Sequence, residues 1–206
     1  MVEKQLRRRG IRDGRVLEAM RRLPRHEFIP EAYRHMAYED EPAPIGSGQT
    51  ISQPYMVAAM AEALELKGPE RVLEVGTGSG YHAAVLAELA AEVFTIEREP
   101  ALVARARENL ARTGYARIQV IEGDGSLGYP AAEPFDAISV AAGAPEVPFR
   151  LLEQLDEQHG RLVIPVGSLD DQELRLIRKS PEGIQTRVVN YCRFVPLLGA
   201  QAWRVE

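Results

Sequence analysis

Residues 71–89 read RVLEVGTGSGYHAAVLAEL. Val72, Leu73 and Val75 make a short apolar run suited to a buried parallel strand. Gly76, Gly78 and Gly80 fall on alternate positions of the turn that follows, and Ala83, Ala84, Leu86, Ala87 and Leu89 supply a small-residue helix face. Strand, glycine turn and helix in that order open a nucleotide-binding α/β fold. Glycine serves where the backbone turns with positive φ, or where a ligand lies against the main chain with no Cβ between them. The spacing separates ligand classes. A dinucleotide fingerprint, G-x-G-x-x-G, would place its third glycine at Tyr81. The pattern here is E-x-G-x-G-x-G, from Glu74 through Gly80.

Working outward, 206 residues suffice for one large domain with a well-buried core. A hydrophobic content of 45% and a charged content of 27% are ordinary for a globular protein. No apolar run is long enough to span a membrane, and the N-terminus MVEKQLRRRG lacks the apolar segment of a secretory signal. The single Cys192 cannot form an intramolecular disulfide, so a cytoplasmic location is expected. A net charge of −5 argues against a chain devoted to nucleic acid. The basic residues Lys4, Arg7, Arg8, Arg9, Arg12, Arg15, Arg21, Arg22 and Arg25 read as a solvated helix face.

Residues 13–23 predict a helix with Asp13 as N-cap, Val16, Met20 and Leu23 on one face, and Pro24 as the stop. A second short helix is expected within 26–38, beginning near Pro30. Residues 39–48, EDEPAPIGSG, read as a loop. Pro54 then suits the first turn of a helix reaching Lys67, with Ser52 or Gln53 as cap. From residue 71 strands and helices alternate, which argues for a parallel sheet covered on both faces. Strands are expected at 71–75, 92–96, 118–121, 135–140 and 161–166, with a helix at about 100–111. Extended runs at 173–178 and 187–197 flank Pro181-Glu182-Gly183, so the sheet should finish as an antiparallel hairpin.

Ligands of open α/β sheets bind beyond the carboxyl ends of the strands. Glu97, following the second strand, is placed to accept both ribose hydroxyls of an adenosine. Asp124, between Gly123 and Gly125 after the third strand, is placed to accept an adenine amino group, although Gly-Asp-Gly is equally an ordinary turn. His26, His35, His82 and His159 lack metal-ligand spacing, so no metal site is assigned; His82 reads as a capping or exposed residue. Cys192 reads as a core residue.

Longer stretches carry a resemblance. VLEVGTGSGYHAAVLA is similar to motif I of the S-adenosylmethionine-dependent methyltransferases. AYEDEPAPIGSGQTISQPYMVAAM (37–60), Gly123-Asp124-Gly125 and RLVIPVG (161–167) resemble, more narrowly, the protein-L-isoaspartate O-methyltransferases, as do RRLPRHEFIP and RFVPL. The chain departs from that pattern at Glu157-Gln158-His159-Gly160 and at His82. The resemblance implies an α/β fold with a doubly wound, mostly parallel Rossmann-like methyltransferase sheet, an antiparallel C-terminal hairpin and an N-terminal helical extension. Residues 1–206 would form one methyltransferase domain, with 1–69 the extension and substrate-side loop and 70–206 the cofactor-binding core. It assigns S-adenosylmethionine, with product S-adenosylhomocysteine, to Thr50, Ile51, Glu74, Gly76, Thr77, Gly78, Ser79, Gly80, Glu97, Asp124 and Gly125. It assigns the substrate to Gly48, Gln49, Ile164, Val166 and Gly167, and the active-site hydroxyl to Ser52.

The implied reaction is methylation of the free α-carboxylate of an L-isoaspartyl residue, giving an ester that re-forms a succinimide. Partners would be isoaspartyl-containing proteins and peptides, with no nucleic acid and no membrane, for a monomeric enzyme. An α-carboxylate of pKa ~3.5 is already ionised at neutral pH, which accounts for the lack of a general base in the motifs. Two other readings stand beside it: a methyltransferase of the same fold acting on RNA or a small molecule, and a binding module without activity. The intact Glu74, Gly76, Gly78, Gly80, Glu97 and Asp124 speak against the last.

Overall fold

The computed structural model describes residues 1–204. The chain opens with a short π-helix, Val2–Leu6, and a 3₁₀ turn, Arg7–Arg9. Helix α1, Gly14–Arg22, starts as expected: the Asp13 carboxylate accepts from the Arg15 N–H at 2.8 Å. The short helix expected from near Pro30 forms as a 3₁₀ segment, Glu31–Met36, and a separate 3₁₀ segment, Arg25–Phe28, precedes it with a break between them. Pro30 is the cause, since it lacks an N–H and holds the preceding Ile29 extended at φ −119°, ψ 137°.

Residues 39–48 are only partly loop. Strands β1 (Ala43–Gly46) and β2 (Gln49–Ile51) form an antiparallel hairpin across Ser47-Gly48. Both turn residues have positive φ, 51° and 68°, the handedness that a two-residue hairpin requires. Pro44 is tolerated because the ribbon has only two strands, leaving an edge where no donor is needed. Helix α2 (Pro54–Ala63) ends earlier than Lys67; Glu65 turns the chain with a left-handed φ of 50°.

The core then builds as β3 (Arg71–Val75), α3 (Tyr81–Ala87), β4 (Glu92–Glu97), α4 (Pro100–Arg112), β5 (Gln119–Glu122), β6 (Ala137–Val140), α5 (Phe149–Glu153), β7 (Arg161–Gly167), β8 (Gln172–Ser180) and β9 (Gly183–Cys192). The sheet order is β5-β4-β3-β6-β7-β8-β9. The first five strands are parallel, and β8 runs antiparallel to both β7 and β9, which is the expected hairpin finish. The extended run expected to reach Leu197 breaks at Cys192. The segment beyond it returns over β6, with Gly143 N–H donating to Val195 O and Leu197 N–H to Gly143 O, each at 2.8 Å. The Glu157–Gly160 departure is a tight turn before β7, closed by Gln158 and His159 N–H donating to the Asp156 carboxylate.

Two apolar cores sandwich the sheet. One packs Val72 and Val163 against α1, α2 and α3; the other holds Leu73, Val75, Ile138, Leu162, Ile164 and Val166. The strand order reverses between β3 and β6, so a crevice opens at the carboxyl ends of these strands, where such folds bind ligands. Among the described residues, no helix is long and apolar enough to cross a membrane.

Candidate active site

The glycine turn after β3 is held by its neighbour strand. Gly76, Gly78 and Gly80 all adopt positive φ (92°, 54°, 87°), and Gly76 and Thr77 N–H donate to Ile96 O at 2.9 and 3.2 Å. Glu97 is almost buried and locks the turn further: one oxygen accepts from Gly78 N–H at 2.9 Å, the other from Arg98 and Glu99 N–H at 2.9 and 3.0 Å. Of about four acceptor sites on a carboxylate, three are thus taken by main chain, leaving room for one further donor rather than two.

Three connected spaces lie over this turn. A cleft of about 330 Å³ is lined by Gly76, Gly78, Glu97, Leu102, Gly125 and Ala142. Gly125 is required there, because a Cβ would stand 2.4 Å from the Val75 side chain. A second, small cavity of about 40 Å³ lies against Ile51, Ser52, Glu74, Thr77, Ser79 and His82. A groove of about 580 Å³ is walled by Ser52, Gln53, Met56, Leu169, Tyr191 and Phe194. Thr50 and Ala141 border all three, so the spaces meet at that point.

The expected site residues separate on this frame. Asp124 does not line the cleft: its carboxylate accepts from Ser126 N–H and Oγ–H and, through the other oxygen, from Ala200 N–H at 2.8 Å. Gln49 borders the cleft rather than the groove, and Gly48 is exposed at the hairpin tip. Ile164 and Val166 lie apart from these spaces. Both point into the apolar core on the far face of the sheet and reach neither cleft nor groove. Gly167 acts on the chain path instead, since a Cβ would stand 2.2 Å from Asp171 O in the β7–β8 turn that carries Leu169 to the groove.

Ser52 is not a helix cap. Among the described residues the N-cap position of α2, Gln53, makes no side-chain cap bond; the carboxylate that serves its first turn is Asp40, which accepts from Tyr55 N–H at 3.2 Å. Among the described residues the Ser52 hydroxyl has no hydrogen-bond partner, and it borders both the groove and the small cavity. Its main chain is fixed by Arg25, which the sequence grouped with the solvated basic face but which lies inside the protein. Arg25 is fully buried, donating from Nη2 to Ser52 O and from Nε to Ala37 O, each at 2.8 Å, with its guanidinium 4.9 Å from the centre of the Tyr81 ring. Burial lowers its pKa to about 10, so it stays charged at neutral pH.

His82 is buried rather than exposed, with Nδ1 3.5 Å from Glu74 Oε1. Burial lowers its pKa to about 4 and raises that of Glu74, which is 0% exposed, to about 8. Cys192 is half-buried in the groove wall, its thiol pushed up to about 11 by burial, so it is no nucleophile at neutral pH. Much of the basic N-terminal run is engaged internally. Arg7 and Arg21 pair with Glu3, Arg9 with Asp40 and Arg22 with Glu88, while Arg15 donates to Leu66 and Leu89 carbonyls.

The residues present fit S-adenosylmethionine. Glycines face the cleft where a side chain would fill it, a carboxylate sits at its rim, and a buried carboxylate with one unpartnered oxygen, Glu74 Oε1, lies at its inner end. The family model described as Protein-L-isoaspartate(D-aspartate) O-methyltransferase (PCMT) matches residues 1–202. The chain is 60% identical over 205 residues to protein-L-isoaspartate O-methyltransferase 2 of Marinobacter nauticus, covering 98% of this chain and 93% of that protein. Among solved structures it is similar to a protein-L-isoaspartate O-methyltransferase with a TM-score of 0.84 at 30% identity, covering 98% of this chain and 67% of the other. It is similar also to a Plasmodium falciparum putative protein-L-isoaspartate O-methyltransferase in complex with S-adenosyl-L-homocysteine, TM-score 0.83 at 29% identity, covering 96% of both chains.

Proposed function

The chain belongs to the protein-L-isoaspartate(D-aspartate) O-methyltransferase family, and from that premise we propose how its residues divide the work. The activity is repair methylation of isoaspartyl residues in damaged proteins, with S-adenosylmethionine as methyl donor. Thr50, Gly76, Gly78, Glu97 and Gly125 hold the cofactor, with Glu74, Thr77, Ser79 and the Ile51 segment at its methionine end; Gly80 shapes the turn. Asp124 contributes by fixing the wall beside the adenine through Ser126 and Ala200. The observation that carries this reading is the junction at Thr50 and Ala141, where the glycine-lined cleft opens into the groove beside an uncommitted Ser52 hydroxyl.

S-adenosylmethionine, when bound, supplies an electrophilic methyl group. The acceptor is the isoaspartyl α-carboxylate, already ionised at neutral pH, so this chain needs no base to activate it. Its task is to hold a carboxylate oxygen in line, and such positioning supplies several kcal/mol of a barrier. The Ser52 hydroxyl donates to one carboxylate oxygen and leaves the other free. A cation in its place would hold electron density on the nucleophile, and Arg25 avoids this by bonding the Ser52 main chain from the buried side. Met56, Leu169, Tyr191 and Phe194 wall the groove for the flanking peptide.

The alternative of an RNA acceptor gains little from the N-terminal arginines, since so many are paired with acidic residues or carbonyls. We take the chain as one domain acting as a monomer in the cytoplasm, without nucleic acid or membrane as partner. Labelled S-adenosylmethionine offered with peptides differing only in Asp versus isoAsp tests the reading: label should appear on the isoAsp peptide alone. Label on RNA in place of peptide would overturn it.

A further inference from the structure

A buried polar row crosses the middle of the sheet. Glu74 on β3 stands in register with Thr95 on β4 and Ser139 on β6, and parallel partners in register face the same side. All three are 0% exposed. Thr95 Oγ1 donates to Glu74 Oε2 at 2.5 Å and lies 2.6 Å from Thr77 Oγ1. Among the described residues, Glu74 Oε1, Ser139 Oγ and His82 Nε2 have no hydrogen-bond partner. Unpaired buried polar groups of this kind are costly, and a core strand rarely carries one without a use. Glu74 and His82 border the small cavity that also touches Ser52, so they lie at the inner end of the cofactor cleft, away from Glu97 and Gly125.

We propose that Glu74 and His82 form a proton-holding pair: in the free protein Glu74 is a neutral carboxylic acid facing His82, and entry of the ammonium group at the cofactor's methionine end expels that proton to solvent. The proposal rests on placing the methionine end in the cavity beyond the glycine turn. The balance is simple. The Glu74 O–H bond breaks, the proton leaves to buffer, and the carboxylate remains to face the ligand's ammonium. Burial raises the Glu74 pKa to about 8, with the charge of Glu97 adding to it and the Thr95 bond opposing. His82, held neutral by burial, offers Nδ1 to the carboxylic acid across 3.5 Å and is a positioning residue. The other charged or titratable groups at hand are Arg25, reaching the Ser52 carbonyl from the N-terminal 3₁₀ segment, and the Tyr81 hydroxyl on α3, directed to Met20 Sδ.

The test is isothermal calorimetry of the whole chain with S-adenosylhomocysteine, which keeps the ammonium and lacks the sulfonium charge, at pH 7 in buffers of differing ionisation enthalpy. A carboxyl titrating near 8 is about 0.9 protonated at pH 7, so binding should release about 0.9 proton. Affinity should rise about ninefold from pH 6 to 7 and about fivefold from pH 7 to 8. Release should vanish in Glu74→Gln and persist in His82→Gln, which keeps an acceptor but cannot titrate. Normal affinity with buffer-independent heat in the wild-type protein would overturn the proposal while leaving the cofactor site intact. Release lost in His82→Gln and kept in Glu74→Gln would overturn it by placing the proton on His82. Absence of any binding heat or competition would instead overturn the site itself. If Glu74→Gln does not fold, the wild-type pH dependence of affinity alone decides, and a flat profile rejects the pair.

Discussion

At the scale of single residues, Ser52 separates a structural from a chemical role. Its hydroxyl caps nothing, since α2 receives Asp40 at its first turn, so Ser52→Ala should change stability by less than about 0.5 kcal/mol. If the hydroxyl orients the isoaspartyl carboxylate, kcat/KM should fall about 10- to 100-fold, or ~1.4–2.7 kcal/mol of transition-state stabilisation. Activity should not vanish, because the nucleophile belongs to the substrate. Steady-state methylation of an isoAsp peptide, with thermal denaturation of the same samples, decides it; unimpaired turnover would remove Ser52 from the chemistry. Glu97 illustrates the converse. It has the chemistry of a ribose acceptor but spends three of its acceptor sites on Gly78, Arg98 and Glu99 N–H groups, so it is as much the lock of the glycine turn as a ligand contact.

At the scale of elements, the junction of β2 and α2 depends on a 3₁₀ turn far from it in sequence. Arg25 joins Ala37 O to Ser52 O through one buried guanidinium. Arg25→Met keeps the side-chain length and leaves both carbonyls unpaired, which should cost about 2–4 kcal/mol of stability. Because the Ser52 main chain is then unpinned, KM for the peptide should rise while S-adenosylhomocysteine affinity, set by the β3 turn, changes little. Equal loss of both affinities would mean that Arg25 supports the fold without directing Ser52. Nothing in PRHEF announces this role, because an arginine's partners here are carbonyls and carbonyls carry no sequence signature. The elements around Glu74–Gly80 were legible for the opposite reason: apolar strand, positive-φ glycines and small-residue helix are local demands written in local residues. Local pattern misled at β1–β2, where proline and glycine hid a hairpin. β7 is buried on both faces, so its run of apolar residues has no alternation to tell which side chains face the far core. The groove walls Leu169, Tyr191 and Phe194 come from the β7–β8 turn and from the end of β9 and the segment after it, brought over β6 only by the chain's return at Gly143. His82 looked solvent-facing beside a turn, yet the sheet's polar row meets it on the inside.

At the scale of the whole molecule, the buried pair should be visible in stability against pH. His82 has a folded pKa of about 4 against an ordinary 6.5, so the unfolded chain binds more protons between these values and stability rises with pH across that window. Glu74 has the opposite sign: folded about 8 against an ordinary 4.5, it binds more protons when folded, and its contribution is lost as pH climbs from 4.5 to 8. Between 4.5 and 6.5 the two slopes cancel. From 6.5 to 8 only Glu74 remains, and 1.5 pH units at ~1.36 kcal/mol each give a decline of about 2 kcal/mol. The other groups that burial raises strongly, Cys192, Tyr81 and Tyr115, start from ordinary values of 9.0, 10.0 and 10.0 and so begin to contribute above this window. Urea denaturation of the free protein at pH 6.5 and 8.5 should therefore show the drop, and Glu74→Gln should flatten it. Saturating S-adenosylhomocysteine should flatten it too, because a ligand that binds only the ionised carboxylate gains affinity with pH at the rate the free fold loses stability. A free protein equally stable at both pH values would mean that Glu74 is ionised in its buried row, and that the sheet carries a charge there whether or not the cofactor is bound.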